Sequence, residues 1–154
     1  MNNKIILNSL LILSFIALSF AYFVEFILGH EPCNLCKIER LPYIGSIILS
    51  SFLLFMNRWE KIILSLILLL FIFGSLISIY HVGIEQGIFS ESLLCELGIN
   101  NNIQNPEELL ETLKKTPISC KDVTFSIFGL SLATFNAFLS LVISYILLKL
   151  LFKK

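Results

Sequence analysis

Two of the four cysteines stand as Cys33-Asn34-Leu35-Cys36, and a disulfide closed over so few residues is tighter and more easily reduced than a relaxed structural one. Cys36 falls near the start of a helix, and Arg40 follows four residues later on the same helical face. Both features stabilise negative charge on a nearby sulfur, and the thiolate is the nucleophile in thiol–disulfide exchange. An arginine at membrane depth is costly and marks function, and a guanidinium there can also hydrogen-bond an electron-rich oxygen of a bound acceptor. These residue types in this spacing point to redox exchange.

The other two cysteines, Cys95 and Cys120, lie in one long polar loop. A bond between them would close about 25 residues, worth roughly 3 kcal/mol by chain entropy, so they suit a structural role as well as a redox one. Three readings of the four sulfurs compete: a zinc site, two inert staples, or an exchange relay. Zinc is a weak match, because there is one C-x-x-C and no paired histidine near it. A staple leaves Arg40 without a purpose. His81, at the end of an apolar stretch, is either an interfacial hydrogen bonder or a donor and proton relay beside a redox group. Glu25 reads as a plain interfacial charge. The 14 phenylalanines read as packing and lipid contact.

The elements that position these residues follow from composition. Of 154 residues, 56% are hydrophobic and only 14% charged, and the mean hydropathy is +0.89. About a quarter of a soluble chain is charged. The chain is therefore a membrane protein of one domain, which excludes a cytosolic enzyme, a nucleic-acid binder and a disordered chain. Its 11 basic and 11 acidic residues cancel, so net charge implies no polyanionic partner. Four stretches, 5–24, 41–57, 62–84 and 123–148, contain no Asp, Glu, Lys or Arg. A helix needs about 20 apolar residues to cross the hydrocarbon layer. With interfacial flanks the spans run over about 5–28, 36–57, 62–84 and 123–148, the second reaching upstream while Lys37 and Arg40 snorkel. No polar alternation of period two supports a barrel. The expected fold is an all-α, four-helix transmembrane bundle over 1–154, with two outward loops at about 29–40 and 85–122. The first stretch is too long for a secretion-signal core and no small-x-small site follows it, so it reads as a retained helix.

Orientation comes from the loops. Lys4, Arg58, Lys61, Lys149, Lys153 and Lys154 crowd the short segments of one side, with Glu60 as its acid. The other side holds five basic residues and nine acids besides Glu25. The positive-inside rule puts both termini in the cytoplasm and all four cysteines outside, in an oxidising space. Within the second loop, Asn105-Pro106-Glu107-Glu108 carries the signs of a helix start. Leu109, Leu110 and Leu113 then share a face, and Glu111 and Lys115 pair, as in a short amphipathic helix on the bilayer or a solvated helical turn.

The run Pro32-Cys33-Asn34-Leu35-Cys36-Lys37-Ile38-Glu39-Arg40-Leu41-Pro42-Tyr43 resembles the P-C-x-L-C-x-x-[EQ]-R motif of the disulfide bond formation protein B (DsbB) family. The Cys95/Cys120 pair, the Tyr80-His81 ending of the third stretch, the four spans and the length agree with that resemblance. It implies a bacterial inner-membrane thiol:quinone oxidoreductase that re-oxidises a periplasmic thioredoxin-like dithiol oxidase of the DsbA type. It further implies that the partner attacks Cys95, that Cys120 then attacks Cys33, and that Cys36 is freed beside ubiquinone or menaquinone. Arg40 and His81 would line the quinone site, with no metal and no nucleic acid involved. The acidic, Asn-rich segment between Cys95 and Cys120 departs from the family pattern. A vitamin K epoxide reductase arrangement fits less well, because its C-x-x-C lies on the last core helix. A structural subunit with two stapling disulfides is the remaining alternative.

Overall fold

The computed structural model describes residues 3–55, 59–91, 95, 119–121, 125–127 and 129–152. The surface helix expected after Asn105 lies outside them. Among the described residues there are five helices: α1 (Asn3–Phe26), α2 (Asn34–Ile38), α3 (Leu41–Phe55), α4 (Glu60–Glu85) and α5 (Leu132–Phe152). A small antiparallel hairpin, β1 (Ser126–Ile127) and β2 (Leu130–Ser131), precedes α5. α1, α4 and α5 are long and apolar enough to cross a bilayer, with candidate spans of 22, 26 and 21 residues. α3 has 15 residues, short of the roughly 20 a span requires.

The expected second span, about 36–57, is broken in two, and the sequence explains the break. Pro42 has no N–H to give to the Ile38 carbonyl, so the helical ladder cannot run through and restarts at Leu41. Cys33 caps α2, its Sγ accepting from the Cys36 N–H at 3.3 Å. The last helix likewise starts later than 123. Gly129 takes φ +81° in the hairpin turn, and Ser131 then caps α5 by accepting from the Thr134 N–H at 3.2 Å. α4 stops in a Schellman motif: Gly87 at φ +73° bonds back to Ile84, and the Ile88 N–H bonds to the Gly83 carbonyl at 2.8 Å.

Small and hydroxylated residues line the helix contacts, as they do where lipid gives no hydrophobic push between helices. The buried hydroxyl of Ser14 on α1 donates to that of Ser46 on α3 at 3.2 Å. Gly74 on α4 lets the Pro42 ring approach so closely that a Cβ there would sit 2.7 Å from its Cγ. α4 packs along both α3 and α5, and α1 packs along α3. One hydrophobic cluster, around Phe71, Ile67, Leu64 and Leu147, fills the bundle. A second, at the end where α2 sits, contains Leu35, Ile84 and three of the cysteines.

Candidate active site

That second cluster brings together residues far apart in sequence. Cys33, Cys95 and Cys120 are all buried in it, with Cys36 packed against them and half-exposed. Asn34, inside the C-x-x-C, fixes the approach of the loop by donating to the Cys95 carbonyl at 3.1 Å. The two cysteine pairs, separated by 59 positions at their nearest members, are therefore neighbours.

Within the tight pair, Cys33 Sγ donates to Cys36 Sγ at 2.8 Å. That hydrogen bond and burial both push the Cys33 thiol up, while His81 pulls against them. Burial, followed by the hydrogen bond with Cys95, pushes Cys120 up as well. The Cys36 hydrogen bond and burial thus favour the neutral thiol at Cys33, the member of the pair buried with the loop cysteines. Cys36, packed against the same cluster, also lines an apolar cavity of about 380 Å³.

The cavity opens where α1 and α5 stand across from one another. α1 contributes Leu13, Ala17 and Phe20, and α5 contributes Phe135 and Leu139. Its polar wall is short: Cys36, Glu39, Arg40, Tyr43 and Asn136. Such a greasy volume with a few convergent polar groups suits a flat apolar molecule bearing hydrogen-bonding oxygens. Arg40 reaches this wall, and its guanidinium is anchored by the Glu25 carboxylate at 2.5 Å and by the Tyr22 ring, 4.8 Å below. Glu25 is thus the counter-ion of Arg40 rather than a plain interfacial charge.

His81 is 2% exposed and stands beside Cys33, its Nε2 3.5 Å from Sγ. Its Nδ1 donates to Glu39 Oε1 at 2.8 Å, which fixes the ring. Glu39, Tyr43 and Asn136 were not singled out by type or spacing, yet they complete the site. A carboxylate buried this deep needs partners. Glu39 has two, His81 and the Asn136 amide, the latter at 2.9 Å. Asn136 also donates to Ser78 at 2.7 Å and accepts from the Tyr43 hydroxyl at 2.5 Å. One amide on α5 thereby ties α3 and α4 together beneath the cysteines. The signal for Asn136 was a polar amide inside a charge-free stretch; for Glu39 it was the acid next to Arg40 in the quoted motif.

The profile of the family described as "Disulfide bond formation protein DsbB" matches residues 3–150. The chain belongs to this family. It is part of the disulfide-forming machinery, an oxidoreductase and a multi-pass membrane protein. A Rickettsia prowazekii (strain Madrid E) sequence described as "Uncharacterized protein RP370" is 34% identical over 141 residues, covering 88% of this chain and 81% of that protein. No solved structure matches.

Proposed function

We propose that this DsbB-family chain re-oxidises a periplasmic thioredoxin-like dithiol oxidase of the DsbA type and delivers the electrons to a membrane quinone, ubiquinone or menaquinone. The observation that carries the reading is the place of the C-x-x-C between the loop cysteines and the apolar cavity. Cys33 packs against Cys95 and Cys120, while Cys36 lines the apolar cavity. In this reading α2 and α3 together make a fourth crossing, the cysteine end of the bundle is periplasmic, and both termini are cytoplasmic in the inner membrane.

The relay balances as two electrons and two protons per partner dithiol. A partner thiolate attacks Cys95, a mixed disulfide forms, and Cys120 leaves as the thiolate. Cys120 attacks Cys33, closing a Cys33–Cys120 bond and releasing Cys36. The partner's second thiol then attacks its own sulfur in the mixed disulfide, leaves oxidised, and frees Cys95. Cys95 attacks Cys120, restores the loop pair and releases Cys33. Quinone, when bound, supplies the two-electron sink.

Arg40 would hold it by donating to a ring oxygen, with Tyr43 and the apolar walls of α1 and α5 around it. Glu25 and Tyr22 hold Arg40 in place. The hydrogen bond between Cys33 and Cys36 keeps one proton at the centre, and His81, fixed by Glu39, stands within 3.5 Å of Cys33 to accept it. A pure staple would need neither the cavity nor this buried polar set. The test is quinone consumption by purified protein with a reduced thioredoxin-fold partner, each cysteine changed in turn. A partner whose second active-site cysteine is serine should accumulate a mixed disulfide with Cys95; accumulation on Cys33 instead would overturn the order of the relay.

A further inference from the structure

The histidine missing from the sequence-level zinc pattern is supplied by the fold. Cys33 Sγ, Cys36 Sγ and a ring nitrogen of His81 all lie within 4.8 Å of one another, although His81 is 48 positions from Cys33. We propose that the reduced centre is a redox-gated site for zinc, or a cation of the same softness, held by Cys33, Cys36 and His81 Nε2.

Three observations support it. First, a tetrahedral zinc with bonds of about 2.3 Å to sulfur and about 2.0–2.1 Å to nitrogen sets those two ligands about 3.5 Å apart. Cys33 Sγ and His81 Nε2 are separated by 3.5 Å. The two sulfurs, now 2.8 Å apart, need to open by about 1 Å, which side-chain rotation provides. Second, the ligand set is soft, two sulfurs and an imidazole, the combination that selects zinc over calcium or magnesium. Third, the outer shell is in place. Glu39 accepts from His81 Nδ1 at 2.8 Å, which in the neutral ring leaves the lone pair on Nε2, the nitrogen beside Cys33 Sγ. A carboxylate behind a histidine in this way is the usual support of a zinc ligand. Glu39 is itself held by Asn136. The fourth position is open to water or to Glu85, whose Oε1 is 3.8 Å from the same Nε2.

Binding moves no electrons. The Cys33 and Cys36 thiols each release a proton to solvent, two sulfur–metal bonds form, and Nε2 adds a third. The site exists only while the C-x-x-C is reduced, since the disulfide removes both sulfurs. A bound cation therefore arrests the centre in its reduced form.

The proposal concerns the reduced form of the couple proposed above, and its test contains neither quinone nor partner, so either can fail alone. Full-length protein in detergent is reduced, desalted without oxygen and titrated with Co2+, then with Zn2+ to displace it. The expected result is one tetrahedral cobalt–thiolate absorption per chain. The Cys95→Ser/Cys120→Ser double variant should keep it, and oxidised protein should lack it. Glu39→Gln should weaken affinity about 10- to 100-fold, and His81→Ala by more. Absence of the band in reduced protein, its loss in the double variant, its survival in oxidised protein, or affinity unchanged in both His81→Ala and Glu39→Gln would each overturn the proposal.

Discussion

Arg40 lines the cavity and is held on two sides, by the Glu25 carboxylate and the Tyr22 ring. Its side chain is 13% exposed, dry enough for a hydrogen bond to count. Charge-assisted hydrogen bonds are worth about 1.5–3 kcal/mol, so Arg40→Ala should raise the apparent KM for quinone about 10- to 100-fold. The same variant should leave mixed-disulfide formation with the partner nearly intact; equal loss of both would mean that Arg40 only holds the fold. The thiols give a pH signature. Cys33 and Cys120 are pushed above the ordinary value of 9.0, chiefly by the Cys36 hydrogen bond in one and by burial in the other. Iodoacetamide labelling of each, read by mass spectrometry on reduced protein, should still be climbing with pH beyond 9.0, where an ordinary thiol levels off. A plateau at or below that pH would contradict the shift. Reduced protein should also lose stability as pH rises past 9.0, because the unfolded chain then releases thiol protons that the folded chain retains. Cys33, Cys36 and Arg40 stood out by type and spacing, while His81 was a lone histidine at the end of an apolar stretch, open to two readings. Glu39 and Asn136 did not stand out, because their importance lies in contacts across 42 and 97 positions that no local pattern encodes.

At the scale of elements, the break between α2 and α3 aims the site. A continuous helix would have carried Cys36 and Arg40 around one cylinder; the restart at Leu41 instead lets Cys33 cap a separate turn and face the loop cysteines. The charge-free stretches predicted the helices well, since hydrophobicity over a span's length is a strong signal. They did not predict the ends, which depend on Pro42, Gly87, Gly129 and Ser131, single residues acting through backbone geometry. The hairpin before α5 was unread because its residues carry no charge and so fall inside the charge-free stretch 123–148. The α3–α4 contact should tolerate no bulk: Gly74→Val places a branched side chain against Pro42 and should destabilise by about 1–3 kcal/mol, read as a lower thermal midpoint in detergent. Asn136→Ala should cost a similar amount, about 1–3 kcal/mol, by leaving Glu39 and Tyr43 short of a partner. Unchanged melting in both variants would mean that the tie beneath the cysteines is not structural.

The whole molecule separates two environments. One end gathers four cysteines into a single cluster, and just below it a cavity opens between α1 and α5. Lys61 and Lys149 lie at the opposite end, beyond the described spans' apolar middle. The proposed orientation predicts that a maleimide unable to cross membranes labels the reduced cysteines from the periplasmic side of intact spheroplasts. Labelling only after the cytoplasmic face is exposed would invert the topology. The charge-free stretches marked the three helices long enough to span, and the charge density of the loops carries the proposed orientation. The cavity escaped them, because its walls come from α1, α3, α5 and the Cys36–Arg40 segment, which no local pattern brings together.

The central claim is that Cys36 is the exit point for electrons into the cavity. It is tested most directly by the rate of quinone reduction when Cys36→Ser protein is given a reduced DsbA-type partner. Turnover should fall to the uncatalysed background while the partner still reacts at Cys95. Quinone reduction at the wild-type rate in that variant would contradict it.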